Sequence, residues 1–181
     1  MGNGLFDDKA NGIIHDQNNP GFGAEKITNG DFTAAGTLAD ESYSLGWARN
    51  TGGDGVSISD GQLILTFDGT TNDGRIYATN GSNSFNVVTS GKVYKFTYTI
   101  SEVSGTQGIL FHYGGGTTAL TSDQSIVGTH TIYYRAAGSV FLLYQTQNGS
   151  TVKFSNVSLI ELNGHPGITS GGPTFSPDTP W

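Results

Sequence analysis

The stretch VYKFTYTISE at 93–102 decides the fold class of this chain. Its large apolar residues, Tyr94, Phe96, Tyr98 and Ile100, occupy every second position. Because successive side chains of a β-strand point to opposite faces, a period of two predicts a strand with one buried face. Polar residues fill most of the positions between them, so the opposite face is expected to be more polar.

Short alternating segments continue on both sides of this strand. They are EKITNGDF at 25–32, VSISDGQLILTF at 56–67, RIYATNG at 75–81, QGILFHYG at 107–114, SIVGTHTIYYR at 125–135 and SVFLLYQTQNGSTVKFSNVSLIEL at 139–162. Asp60-Gly61 and Asn148-Gly149 are turn dipeptides that favour a hairpin in each of two segments, 56–67 and 139–162. No segment of about ten residues or more has the period of a helix. We therefore predict an all-β jelly roll or β-sandwich of about eight or nine antiparallel strands.

Two segments rich in glycine, asparagine or proline flank these strands. Residues 1–25 contain few apolar side chains, and residues 163–181 contain four of the five prolines. Such segments bury too little apolar surface to offset the entropy lost on ordering. We therefore predict extended N- and C-terminal arms around a domain at 26–162. The apolar residues that would anchor the arms to an assembly are Phe6, Ile13, Ile14, Phe22, Phe175 and Trp181.

Alternation also sorts residues of the predicted strands into two faces. We assign one phase to the interior, namely Tyr94, Phe96, Tyr98, Phe111, Tyr113, Ile132, Tyr134, Val140, Leu142 and Tyr144. The opposite phase mixes polar with apolar groups and contains Lys95, Thr97, Thr99, Leu110, His112, Tyr133, Phe141, Leu143 and Gln145. A solvated face is more uniformly polar, so this face is predicted either to bind a ligand such as carbohydrate or to be covered by a subunit or an arm. The candidate contact residues are His112, Tyr133, Phe141 and Gln145, with Trp47, which is also a candidate for the core or its rim.

The composition excludes several classes of partner. The formal net charge is −7, and the 8 lysines and arginines are scattered. Nucleic acids and anionic membrane surfaces require a basic patch, so neither is expected as a partner. The chain has no cysteine, which excludes disulfides and thiolate metal sites. The N-terminal residues lack the pattern of a signal peptide or a myristoylation site, and we expect neither.

The sequence carries no pattern typical of an enzyme or a metal site. Its histidines lie far apart and lack metal-ligand spacing. The acidic stretch DGTTNDG at 68–74 places Thr70 where a calcium loop needs a ligand and Asp73 where it needs glycine. We therefore expect no catalytic residue, no metal and no cofactor.

Residues 25–162 resemble the jelly rolls of carbohydrate-binding modules of the family 4/9 type. The resemblance rests on ITNGDF at 27–32 with Gly46-Trp47, GKVYKFTYTIS at 91–101, GTHTIYY at 128–134 and KFSNVSLIEL at 153–162. It implies a non-catalytic jelly roll, and in many relatives a structural calcium between the first and last strands. This chain has Ser155 where those relatives use an acidic residue, which argues against the calcium.

Such domains also occur in structural proteins of tailed phages, and the closing residues 163–181 resemble tails of those chains. The resemblance implies a virion structural protein made in the host cytoplasm. We expect a capsid decoration or cement protein on the capsid surface, bound through its arms to the major capsid protein and to copies of itself, as a homotrimer by analogy. The alternative is a tail-fibre or receptor-binding protein that binds host-surface polysaccharide. An enzyme acting on polysaccharide is the third class.

Overall fold

The computed structural model describes residues 5–8, 13–16, 22–36, 38, 45–49, 55–69, 74–81, 84–105, 109–113, 126–145 and 148–162. For residues 5–8, 13–16, 109–113 and Gln145 it describes the backbone alone. The chain divides into two units, one formed by Ala24–Glu161 and the other by Met1–Gly23 with Leu162–Trp181.

Strands make up most of the described residues. They are β1 (Leu5–Asp8), β2 (Ile13–Asp16), β3 (Phe22–Glu25), β4 (Trp47–Arg49), β5 (Val56–Ser59), β6 (Gln62–Phe67), β7 (Arg75–Ala78), β8 (Val93–Ser104), β9 (Ile109–Tyr113), β10 (Gly128–Arg135), β11 (Phe141–Gln145) and β12 (Ser150–Leu162). Within these ranges and the segments described between them, no helix is long and apolar enough to pass through a membrane.

Two antiparallel sheets organise the larger unit. The six-stranded sheet has the order β10-β8-β12-β6-β5, with β3 also paired to β12. The four-stranded sheet has the order β4-β7-β11-β9. The predicted fold class, an all-β jelly roll or β-sandwich, is confirmed. Strand β4 is an addition to the strands that the sequence predicted.

The core lies between the two sheets. From β8 of the six-stranded sheet come Tyr94, Phe96, Tyr98 and Ile100, all 0% exposed, as the alternation predicts. Across the core, the ring centroid of Phe141 in β11 lies 4.9 Å from that of Phe96. Other large core residues are Phe32, Leu38, Trp47, Leu63, Leu65, Ile76, Leu143, Phe154 and Leu159.

The predicted hairpin at 56–67 is present. Ser59 of β5 pairs with Gln62 of β6, and the two residues between them have positive φ angles, 53° at Asp60 and 70° at Gly61. A two-residue turn with both central φ angles positive matches the right-handed twist of the strands that it joins. The Asp-Gly dipeptide adopts this conformation at low cost because glycine lacks a Cβ and aspartate tolerates the left-handed region.

The predicted hairpin at 139–162 is wrong. A turn forms at Asn148-Gly149, but the strands on either side of it belong to different sheets. Strand β11 pairs with β7 and β9, whereas β12 pairs with β6 and β8. A turn dipeptide reverses the chain direction, but it does not specify that the following strand pairs with the preceding one. The chain therefore crosses from one sheet to the other here.

The strand predicted at 25–32 lies earlier in the chain, because β3 covers Phe22–Glu25 and residues 28–31 form a turn. Within the predicted N-terminal arm, 1–25, Leu5 of β1 pairs with Asp16 of β2 in a two-stranded antiparallel sheet. The division into two arms and a domain at 26–162 stays a prediction. The C-terminal arm, 163–181, lies outside the described residues.

Candidate functional site

The outer face of the six-stranded sheet carries a ladder of hydroxyl groups. Thr97 and Thr99 of β8 lie opposite Thr131 and Thr129 of β10. The Oγ1 atoms of Thr97 and Thr131 are 3.2 Å apart, and those of Thr99 and Thr129 are 2.9 Å apart. Both pairs are within hydrogen-bonding distance, and Thr129 and Thr131 are exposed. These paired threonines make this part of the face polar, and we call the face the hydroxyl face.

Tyr133 lies on the same face, two residues after Thr131 in β10. It pairs with Lys95 of β8, which in turn pairs with Ile160 of β12. Tyr133 is partly exposed, and its contact role stays a prediction. Beyond it, Arg135 donates through Nη1 to the carbonyl oxygen of Gly91 at 2.6 Å.

A cluster of aromatic residues lies on the four-stranded sheet, in the phase opposite to its core residues. Ile76 and Leu143 are buried in the core, whereas Arg75, Tyr77 and Tyr144 alternate with them and are partly exposed. The ring centroid of Phe85, from the segment after β7, lies 5.0 Å from that of Tyr77. We call this set, Arg75, Tyr77, Phe85 and Tyr144, the aromatic patch.

The strand register holds the aromatic patch in two neighbouring rows. One row runs across the sheet through Ala48, Tyr77, Leu142 and His112. In the next row Arg75 pairs with Tyr144, and the Arg75 guanidinium carbon lies 4.5 Å from the centroid of the Tyr144 ring. A guanidinium at this distance from a ring centroid is within cation–π range, which orients both side chains.

Further packing supports the rings from beside. The two cross-strand partners of Tyr77, Ala48 and Leu142, are apolar and are 0% and 7% exposed. Phe67, at the end of β6, meets Tyr144 edge-on with ring centroids 6.2 Å apart. Rings fixed by packing lose little further conformational entropy when a ligand stacks on them.

The structure corrects two of the sequence-predicted contact residues. Phe141 and Trp47 are both 0% exposed and belong to the core. Trp47 packs against Phe32 with ring centroids 5.8 Å apart, and its indole N–H donates to the carbonyl oxygen of Asn29 at 3.1 Å. Neither residue offers surface to a sugar ring or a subunit. Trp47 is thus a core residue, the other role that the sequence allowed.

The assignment of phases along β11 was also wrong. Phe141 and Leu143 point into the core, whereas Leu142 and Tyr144, predicted as interior, take the other phase. The segment FLLYQ is apolar at three consecutive positions, so alternation alone left its buried face ambiguous. The consequence is that Tyr144 becomes available to the aromatic patch.

The predicted contact face is divided between two sheets. Tyr133 belongs to the six-stranded sheet, whereas His112 of β9 and Gln145 of β11 belong to the four-stranded sheet. In the backbone register His112 pairs with Leu142, and Gln145 pairs with Ile109. The side chains of His112 and Gln145 lie outside the described residues, and their contact roles stay predictions.

Sequence reasoning missed Arg75, Tyr77 and Phe85 as site residues. The signal for the first two was the alternation in RIYA at 75–78, where Arg75 and Tyr77 share a phase opposite to Ile76 and Ala78. Phe85 lies outside the strands, and no periodicity identifies it.

Of the arm anchors, Phe22 is the one whose side chain the structure describes. It is 52% exposed at the start of β3. Phe6, Ile13 and Ile14 lie in β1 and β2, where the backbone alone is described, and Phe175 and Trp181 lie outside the described residues. Their anchoring roles stay predictions.

The described residues contain no group of three or more His, Cys, Asp or Glu side chains that could hold a metal ion. Ser155, aligned by the resemblance with an acidic calcium ligand, lies at an irregularity in the pairing of β12 with β8.

Within the core, burial raises the pKa of Tyr98 to about 12. Its ring stacks on His130 with centroids 5.0 Å apart, on the core side of β10. The structure therefore gives Tyr98 a packing role.

Comparison with known proteins adds a likeness of fold. The structure is similar to that of the CBM22-1 xylan-binding domain from Paenibacillus barcinonensis Xyn10C, with a TM-score of 0.41 and 15% sequence identity. The match covers 73% of this chain and 98% of that domain. No family model matches the sequence, and no curated protein matches it.

Proposed function

We propose that this protein is a non-catalytic binding protein that holds a polysaccharide against the aromatic patch. The observation that carries the proposal is that Arg75, Tyr77 and Tyr144 share the phase of the four-stranded sheet opposite to its core residues, with the ring of Phe85 packed against Tyr77. Sugar rings stack on aromatic side chains through their apolar faces, and their hydroxyls accept hydrogen bonds from guanidinium and phenol groups. The patch presents both kinds of group side by side.

The charge of the protein favours a neutral glycan. The chain carries a formal net charge of −7, which repels polyanions at long range. Stacking and hydrogen bonds to neutral groups need no charge on the ligand. In a virion this activity would belong to a tail-fibre or receptor-binding protein, the second role that the sequence suggested.

A glycan array containing neutral and acidic polysaccharide fragments tests the proposal. The full chain is compared with Tyr77→Ala, with Tyr77→Phe, and with Tyr133→Ala as a control on the other sheet. We expect binding to neutral glycans, a loss of about tenfold or more for Tyr77→Ala, a smaller loss for Tyr77→Phe, which keeps the ring but not its hydroxyl, and near-normal binding for Tyr133→Ala. No binding to any glycan, or a loss with Tyr133→Ala and none with Tyr77→Ala, would overturn the proposal.

A capsid decoration or cement protein is the second candidate, favoured by the 52% exposure of Phe22 in the predicted N-terminal arm. A large apolar side chain with this exposure gains free energy when a partner covers it. The proposed partners are the major capsid protein and other copies of the chain on the capsid surface. Deleting residues 1–20 is expected to abolish binding to capsids while the remaining domain still unfolds cooperatively. Unchanged capsid occupancy would refute this role.

A further inference from the structure

Strand β10 lies at the end of the strand order in the six-stranded sheet. It pairs with β8 along all eight residues, from Gly128 to Arg135. Within the part of the chain that the structure describes, no strand pairs with the other side of β10. Exposed edge strands are usually kept short or interrupted by proline, inward-pointing charge or a bulge, because their free backbone groups can pair with another chain. β10 is long and regular, and its single charged residue, Arg135, stands at its end.

Exposed apolar residues continue this edge. Ile126 and Val127, immediately before β10, are 69% and 58% exposed. The exposed residues along β10 itself are Thr129, Thr131 and Arg135. The edge therefore combines backbone pairing capacity with apolar surface at one end.

We propose that β10 pairs antiparallel with β10 of a second copy of this chain, so that the two six-stranded sheets become continuous. This inference is independent of the proposed glycan site, which lies on the other sheet. A second copy fits because a two-fold axis perpendicular to the sheet places the hydroxyl face of one copy beside that of the other. Residues directly opposite each other in an antiparallel pair lie on the same face. The odd-numbered residues of β10, such as Thr129, Thr131 and Tyr133, lie on the hydroxyl face in both copies. Each of them must therefore oppose an odd-numbered residue of the other β10.

Charge and exposed surface select one register among these. With Thr131 on the two-fold axis, Thr129 opposes Tyr133 of the other copy, and the exposed Val127, at the bend just before β10, lies next to Arg135 of the other copy. This register places Val127 beside the aliphatic stem of Arg135, and it separates the two Arg135 residues by about 26 Å at 3.3 Å per residue. With the axis on Ile132, Arg135 instead opposes Thr129, and Val127 loses this neighbour. The Thr131-centred register also extends the hydroxyl ladder across the axis, from Thr97 and Thr131 to the same residues of the other copy.

Engineered cysteines test both the pairing and its register, because the chain has none of its own. In the Thr131→Cys variant the two Cβ atoms would lie about 5 Å apart, close enough for a disulfide with a small backbone adjustment. In the matched control, Thr129→Cys, they would be about 13 Å apart along the strands. Mild oxidation of the full-length variants is followed by non-reducing electrophoresis. We expect a covalent dimer for Thr131→Cys and little for Thr129→Cys. Equal yields, or dimer from Thr129→Cys alone, would overturn the register.

Light scattering coupled to size-exclusion chromatography tests the pairing without a covalent cross-link. We expect the wild-type chain to have twice the 19.0 kDa mass of one copy. The Thr131→Lys variant is expected to have the mass of one copy, since it places two like charges opposite each other on the axis while Thr131 is exposed in a single copy. A wild-type mass of one copy at every concentration, or of three copies as the sequence analogy suggested, would overturn the proposal.

Discussion

Phe96 and Phe141 pack edge to face, with ring centroids 4.9 Å apart and one ring from each sheet. Phe96 also stacks on Tyr98, at 4.9 Å, so the contact joins the centre of β8 to β11 across the core. Aromatic pairs in this geometry stabilise the fold by about 0.5–1.5 kcal/mol beyond the area that they bury. This contact shows why Phe141 is a core residue and not a ligand platform.

The Phe141→Ala variant is expected to lose about 3–5 kcal/mol of unfolding free energy, because it removes a fully buried ring and leaves a cavity. Urea unfolding followed by fluorescence measures the loss. Tyr133→Ala, on the partly exposed hydroxyl face, serves as the control and should lose about 1 kcal/mol or less. Equal losses for the two variants would show that Phe141 is not in the core.

Alkaline pH should destabilise the protein through Tyr98. Burial raises the pKa of Tyr98 in the folded state to about 12, whereas in the unfolded chain it is near 10.0. The unfolded state therefore releases the Tyr98 proton at a lower pH than the folded state does. The contribution of Tyr98 to the unfolding free energy is intact below pH 10, and about 2–3 kcal/mol is lost as the pH rises towards 12. Unfolding free energies measured from pH 8 to 12 should fall less steeply for Tyr98→Phe than for the wild type. Parallel curves would contradict the assignment.

Glycine is required at position 46 but not at position 61. Both have positive φ angles, 76° and 70°, but a Cβ at Gly46 would lie 2.3 Å from the carbonyl oxygen of Thr28, whereas a Cβ at Gly61 meets nothing within 4 Å. Both alanine variants incur the cost of the left-handed conformation, about 1 kcal/mol. Gly46→Ala adds a backbone clash of about 1–3 kcal/mol or more. Thermal unfolding should therefore show a larger loss for Gly46→Ala, and equal losses would contradict the packing around Gly46.

Glycan binding should depend little on salt, since stacking on the aromatic patch involves no charge on the ligand. Raising the salt to about 1 M shortens the Debye length to about 3 Å and would weaken an interaction between exposed charges. We expect the affinity for a neutral oligosaccharide, measured by calorimetry, to change less than about twofold. A steep loss would point to an acidic ligand held by Arg75 instead.

Much of the fold could be predicted from local sequence patterns. The alternation of Tyr94, Phe96 and Tyr98 identified the buried face of β8, and Asp60-Gly61 identified a true hairpin. The assignment failed at β11, where consecutive apolar residues obscure the period, and at Asn148-Gly149, where the chain changes sheets. Local patterns define the two faces of a strand, but sheet membership depends on contacts between residues far apart in sequence.

The same limit explains the outcome for the site. Tyr133 was correctly placed outside the core, but its predicted neighbours His112 and Gln145 belong to the other sheet. Arg75 and Tyr144 are 69 positions apart in the sequence, and only the pairing of β7 with β11 brings them into contact. Such a contact cannot be predicted from the spacing of the two residues in the sequence.

The aromatic patch as a polysaccharide-binding surface is the central claim, and an NMR titration tests it most directly. The full-length, 15N-labelled chain is titrated with the neutral oligosaccharide that gives the strongest signal on the glycan array. We predict amide shift changes that centre on Arg75, Tyr77, Phe85 and Tyr144. Changes confined to the hydroxyl face, around Thr97, Thr131 and Tyr133, or no changes at saturating sugar, would contradict the claim.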